Sequence, residues 1–267
     1  MLFRSQPGSE SDFVSVADSP RESFHRHPWS IGGGGAAELK EEVDQAAETT
    51  LQRLADSIGI TSFTLEDDIF LSEQQVLIRH GLRSCHYRDL VVGDGVRDWT
   101  TPENLCVVFP YDANFRPVQN DFQHPVLRWL WLARTNLSNN KLFGGKTKVL
   151  SGLNWFELGR LTADKLKVPR SIVFAFVATH NHFVLERRGK VFNRSSPVIK
   201  LPEDASDNDH FCLLGLLNSA TACFWMKQVF HNKGSTVDQH GARQRTMPFE
   251  DFFEHDGTKL LQFPVPA

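Results

Sequence analysis

The first strong periodic signal in the chain lies between residues 36 and 59. Leu39, Val43, Ala46, Ala47, Leu51, Leu54 and Ile58 recur at spacings of three and four. That pattern lines one side of a helix with apolar groups, so it predicts a single long amphipathic helix stopped by Gly59. Upstream, the run Gly32-Gly33-Gly34-Gly35 forms no regular element and reads as a hinge. Residues 1–26, polar and without periodicity, read as a disordered leader or the start of a fragment. Residues 62–69 read as a short strand. A further helix is expected from Ser72, with Glu73 adding favourable charge to its first turn.

From residue 85 the pattern turns to strands. Tyr87 to Trp99 holds an apolar run, the turn Gly93-Asp94-Gly95 and a return segment, which predicts a β-hairpin. Residues 105–109 form an apolar run closed by Pro110, expected as a buried strand. Helical pieces are expected around residues 126–134 and 155–165, separated by an Asn- and Gly-rich loop over residues 136–146. Residues 171–179, 183–186, 190–192 and 197–201 continue as strands, with Arg188-Gly189 as a turn. Asp207, Asn208 and Asp209 then start an apolar helix over residues 211–230. These elements predict an α/β (α+β) fold: an irregular β-rich core, a long N-terminal helix and a buried C-terminal helix. The expected divisions are a leader over 1–26, a helical segment over 27–84 and a main domain over 85–267.

Composition changes little in this picture. At 267 residues, with 40% hydrophobic and 23% charged residues, the chain suits one large domain or two small ones. The cysteines form no CxxC pair, and Cys212 and Cys223 sit in apolar stretches, so buried reduced thiols are expected and no metal site. No apolar run approaches the roughly 20 residues that span a bilayer. The first residues also lack the apolar centre of a signal peptide, so no membrane partner and a cytoplasmic address are expected.

Charge changes more. The chain carries −3 overall, yet residues 128–200 hold fourteen basic residues against three acids (Glu157, Asp164 and Glu186), a net +11. The remainder therefore carries −14. Such asymmetry is the footprint of a face that meets a polyanion, though a solvated basic face without a partner gives the same count.

Several short motifs fail on context. Gly144-Gly145-Lys146-Thr147 echoes a phosphate loop, but Asn140 stands where that motif needs glycine and no buried strand precedes it. Glu38-Leu39-Lys40 matches half a nuclease motif but falls on the expected helix. His180-Asn181-His182 spells a nuclease class name; a strand terminus or a DNA-contacting loop fits these three residues as well. Base-readout chemistry is better represented. Arginine and lysine bind guanine, and asparagine binds adenine. Arg134, Asn136, Asn139, Asn140, Lys141 and Lys146 pack such side chains into the expected loop. Arg88 and Arg97 flank the expected hairpin turn. Among the aromatics, most of which read as core, Trp155 beside Asn154 is the best candidate for a DNA surface.

These segments together resemble the C-terminal region of a known family. It comprises the large adenine-specific DNA methyltransferases of BREX phage-defence systems, called PglX, and their type IIG restriction–modification relatives. The resemblance rests on residues 27–35, 93–99, 109–112, 175–183, 214–219 and 256–264, and so spans nearly the whole chain after residue 26. The Gly-Asp-x-Val-Arg-x-Trp turn and the Leu-Leu-Asn-Ser helix look like recurring elements of target-recognition domains. The resemblance implies that the intact enzyme methylates adenine N6 using S-adenosyl-L-methionine and that this part selects the double-stranded DNA sequence. Such enzymes hold the flipped base with a Pro-Pro tetrapeptide, and this sequence contains no Pro-Pro dipeptide. No catalytic or cofactor-binding residue is therefore assigned, and a catalytic methyltransferase domain in the same or a partner chain is expected. Two competing readings stay open: a stand-alone metal-dependent nuclease around His180 and His182, and a protein-interaction module of a defence complex.

Overall fold

A computed structural model of the chain describes residues 6–9, 11, 16, 18, 21–25, 29, 35–97, 99–101, 105–187, 189–234 and 251–266. Most of the expected leader, Gly32 to Gly34 of the expected hinge, and Arg188 of the expected turn lie outside the described residues. The fold is the expected mixture of helices with several small, irregular sheets. It forms two compact units that interleave in sequence. The larger holds Asp56–Phe176 and His182–Gly215; the smaller holds Met1–Ala55, Val177–Asn181 and Leu216–Ala267.

The larger unit is built on two four-stranded sheets. In the first, Phe183–Arg187, Arg170–Phe174, Val198–Lys200 and Ser57–Gly59 lie side by side, all antiparallel. The interior strand Arg170–Phe174 carries Ile172, Val173 and Phe174, each fully buried, which explains why the sequence there is a continuous apolar run rather than an alternation. In the second sheet the order is Val191–Phe192, Tyr87–Val91, Cys106–Val108, Leu71–Ser72. The first pair is parallel and the others antiparallel. The core beside this sheet includes Phe70, Val107, Phe109, Leu130, Leu137 and Phe156. Burying each such side chain stabilises the fold by about 1.5–3 kcal/mol.

Gly93-Asp94-Gly95 does not turn a hairpin. It is a single 3-10 turn, and the strand Tyr87–Val91 pairs with Cys106–Val108 and Val191–Phe192 instead. The reason is a close approach. Gly93 N donates to Ser195 Oγ at 2.9 Å, and a Cβ at Gly93 would stand 2.2 Å from the Ser195 carbonyl oxygen. Asn193 N and Ser196 Oγ both donate to Val91 O, at 2.9 and 2.7 Å. The turn is thus docked onto residues 193–196 rather than folded back on its own strand.

In the smaller unit the expected long helix ends early, at Ala36–Gln45. Thr49 and Thr50, both β-branched, pair instead with Val265 and Pro264, and Leu51 N donates to Phe263 O at 2.9 Å. The helical periodicity continues only as the one-turn helix Leu51–Leu54, while Ile58 belongs to a strand. Helix Ala36–Gln45 packs on Ala220–Val229. There Trp225 Nε1 donates to Asp44 Oδ1 at 2.7 Å and the indole meets the Phe263 ring edge-on at 5.3 Å.

The apolar helix expected over residues 211–230 is two helices, Asp207–Leu217 and Ala220–Val229. Asn181 Nδ2 donates to the carbonyls of Leu217 and Ser219, at 2.6 and 3.2 Å, and so draws off the chain where the first helix ends. Ser219 then caps the second by accepting from Ala222 N at 3.0 Å. Cys212 is exposed, not buried as expected, whereas Cys106 is buried. Burial, with the Asp89 carboxylate adding to it, pushes the Cys106 thiol up to about 11. Among the described residues no helix is long and apolar enough to cross a membrane.

The close approach at Gly93 sets an expected outcome. Gly93→Ala should lower stability by about 1–3 kcal/mol, because a methyl group must displace backbone rather than a flexible side chain. Urea denaturation checks this, and Gly95→Ala serves as the comparison.

Candidate nucleic-acid interface

The loop expected over residues 136–146 folds as two parts. Residues 134–139 form the helix Arg134–Asn139, which follows Pro125–Leu130 and the 3-10 turn Trp131–Ala133. Pro125 at the first helical turn and the core residues Val126, Leu127, Leu130 and Leu137 explain why this stretch is helical despite its asparagines. Residues 141–147 form a tight hairpin closed by the bridge between Lys141 and Thr147. Within it Leu142 N donates to Lys146 O at 2.8 Å and Gly145 N to Leu142 O at 3.0 Å. Gly144 and Gly145, at φ +103° and +85°, supply the left-handed backbone that the tip requires.

This region brings together most of the residues the sequence singles out. Arg134, Asn136, Asn139, Lys141 and Lys146 are all exposed. Asn136 and Asn139, three apart on one helix, share a face. The Arg134 guanidinium lies over the Trp131 ring, 4.9 Å from its centre. Trp131 in turn meets Phe122 edge-on at 4.8 Å and Trp155 at 5.9 Å. Trp155 is only 8% exposed and supports this surface from beneath rather than presenting a face of its own. Asn154 is exposed, but its backbone N and Nδ2 both donate to Glu157 Oε1, at 2.7 and 2.9 Å. Asn140 is half-buried. In the amide orientation that satisfies it, it donates to Glu66 Oε1 at 2.9 Å and Asn136 O at 3.1 Å.

The remaining predicted residues sit elsewhere in the fold. Arg97 Nη1 donates to Gly93 O and Val96 O, at 2.8 and 2.6 Å, and so closes the docked turn from outside. Arg88 Nη1 donates to the carbonyls of Ser84 and Tyr87, and its guanidinium covers the Phe109 ring at 5.2 Å. It lines a small pocket of about 200 Å³ with Lys190. In the smaller unit His180 is exposed, with Nδ1 2.9 Å from Thr179 Oγ1, and Asn181 is committed to the helix end described above. In the larger unit His182 is 9% exposed. Among the described residues, no three His, Cys, Asp or Glu side chains are grouped so as to hold a metal ion.

Two contributors escape a reading of the sequence. Arg194 joins Lys141, Leu142 and Phe143 around a cleft of about 560 Å³ that Glu66, Asp67 and Asp68 also line. Lys148, which the sequence places with the solvated basic residues, is fully buried. Its Nζ donates to the Glu157 carbonyl at 2.6 Å and lies 5.8 Å from the centre of the Phe70 ring. Burial pushes its ammonium down to about 8, against the pull of the Glu157 and Glu66 carboxylates. No sequence signal separates it from Lys146, two residues earlier and exposed.

No protein-family model matches the chain. It is 40% identical over 264 residues to "Adenine-specific methyltransferase PglX" of Streptomyces coelicolor, a match that covers 98% of this chain and 22% of that protein. The chain thus spans about a fifth of the length of the curated relative it matches. Among solved structures it resembles the Type IIL restriction–modification enzyme MmeI in complex with DNA. That likeness has a TM-score of 0.52 at 12% identity and covers 81% of this chain and 25% of MmeI; it is a likeness of fold. Over nearly its whole length, then, the chain is similar to one part of an adenine-specific methyltransferase.

The buried lysine sets a pH dependence. Below about 8, folded and unfolded chains both hold the Lys148 proton and the cost of burying the charge is constant. Between about 8 and the ordinary lysine value of 10.5 the folded chain releases it first, so this group's contribution to stability rises with pH. Against Lys148→Met, which removes the ammonium, the wild type should therefore gain as pH rises through that window, by roughly 3 kcal/mol at most. Denaturation midpoints across the window test this; a constant difference refutes it.

Proposed function

We propose that this chain is the DNA sequence-recognition portion of a site-specific adenine-N6 DNA methyltransferase of a phage-defence system, BREX or restriction–modification. The observation that carries the reading is the 40% identity over 98% of the chain to part of an adenine-specific methyltransferase. A fold shared with an enzyme solved on DNA supports it further. So does the cluster of exposed Arg134, Asn136, Asn139, Lys141 and Lys146 on one helix and one adjoining hairpin.

In this reading the lysines and Arg134 hold phosphates of double-stranded DNA, and Asn136 and Asn139 read base edges from their shared helix face. Asn140 and Asn154 set the backbone around them. The sequence contains no Pro-Pro dipeptide to hold the flipped base, and no residue here is assigned to S-adenosyl-L-methionine. Methyl transfer therefore belongs to a catalytic domain in the same longer protein or in a partner chain, and no step of it is assigned to residues here.

Gel-shift titrations of the chain on duplex DNA over a range of salt concentrations test the reading. Binding should weaken steeply with salt. The double variant Arg134→Ala, Lys141→Ala should weaken binding to every sequence and reduce the salt slope by about two, and an unchanged slope sinks the assignment. Joined to the catalytic part, the double variant should also methylate adenine more slowly at limiting DNA.

A further inference from the structure

We propose that Phe143 is an apolar wedge that inserts between neighbouring base pairs of the duplex. The inference rests on the DNA-recognition reading and deepens it. Phe143 stands at the tip of the hairpin over residues 141–147 and is fully exposed, at 108% of its reference area. A phenylalanine held wholly in water forgoes the burial that makes such side chains core residues. Yet the tip is built rather than loose. Its closing bridge joins Lys141 and Thr147, and Gly145 N donates to Leu142 O. At its base Lys148 N donates to Asn140 O at 2.7 Å, while the Lys148 side chain runs into the core to the Glu157 carbonyl.

The charge of the stretch that carries the ring points to a polyanion. Residues 122–156 contain Arg128, Arg134, Lys141, Lys146 and Lys148 and no acidic residue. Lys141 and Lys146 flank the tip and are exposed. Glu66, Asp67 and Asp68 line the cleft that Phe143 borders together with Lys141 and Arg194; these carboxylates disfavour a duplex inside it, so the duplex meets the exposed tip and its lysines. An exposed aromatic on an ordered tip between phosphate-binding lysines has the parts of an intercalating wedge. The cations hold the backbone while the ring replaces the stacking that the opened step loses.

A wedge must unstack a base step, so it gains from a duplex in which the unstacking is already partly done. The test compares short duplexes of mixed sequence, one fully paired and one with a single mismatched pair, at low salt. The wild-type chain should bind the mismatched duplex about tenfold more tightly. Phe143→Ala should abolish that preference while leaving the salt slope on paired DNA unchanged, and Phe143→Trp should keep it. Because the ring touches no core, the alanine variant should unfold at the wild-type denaturant concentration. Wild-type binding without the preference, or a preference that survives in Phe143→Ala, overturns the wedge and leaves the DNA reading standing. Association of the catalytic part lost in Phe143→Ala, with the duplex preference intact, assigns the ring to a protein contact and also overturns it. A wild-type chain that binds neither duplex overturns both.

Discussion

The bond from Lys148 Nζ to the Glu157 carbonyl fixes the candidate interface to the rest of the molecule. An ammonium and a peptide carbonyl withdrawn together from water are costly unless they satisfy each other, and here they do at 2.6 Å. The bond spans the base of an exposed hairpin and the segment that carries Trp155 and Phe156 into the core. Leu158 N, next in line, donates to the Tyr111 hydroxyl at 3.0 Å, and burial raises that phenol above its ordinary range. A run of polar groups therefore passes beneath the surface formed by Trp131, Arg134 and the hairpin. It locks in place a stretch whose own composition, rich in Asn, Gly and Lys, would not hold a single conformation.

The two units use different means to the same end. In the larger, sheets are joined through a glycine pressed against a carbonyl and through serine hydroxyls that donate to Val91 and Phe192 carbonyls. In the smaller, two helices meet across an indole–carboxylate bond, and a single asparagine amide separates consecutive helices. Polar side chains turned inward recur in both, so short elements that could not stand alone have their backbone groups satisfied.

Where the apolar pattern was continuous, the fold was legible. Residues 183–186 and 106–108 are strands as their composition predicts, whereas the run expected as one strand over 171–179 splits into Arg170–Phe174 and Val177–Ala178, which pair in different sheets. The failures share a cause: a local pattern lost to a distant partner. Thr49 and Thr50 carry on a helical rhythm but are taken by the chain terminus. The Gly-Asp-Gly turn has hairpin chemistry yet is claimed by Ser195, about a hundred positions away in sequence. The candidate site divides the same way. Exposed positions such as Asn136 and Lys141 could be named from residue type. Nothing in residue type could show that Arg97 folds back onto its own turn, that Asn181 faces a helix end, or that Lys148 is dry.

At the hairpin tip, a Cβ at Gly144 or Gly145 would meet nothing within 4 Å, although both residues hold positive φ. Divergence there is thus limited by the sign of a torsion and not by room. Asparagine and aspartate are the replacements such a backbone admits most readily, and β-branched residues the least. Either glycine could therefore give way to a short polar side chain, and even to a charged one, with the same bend kept.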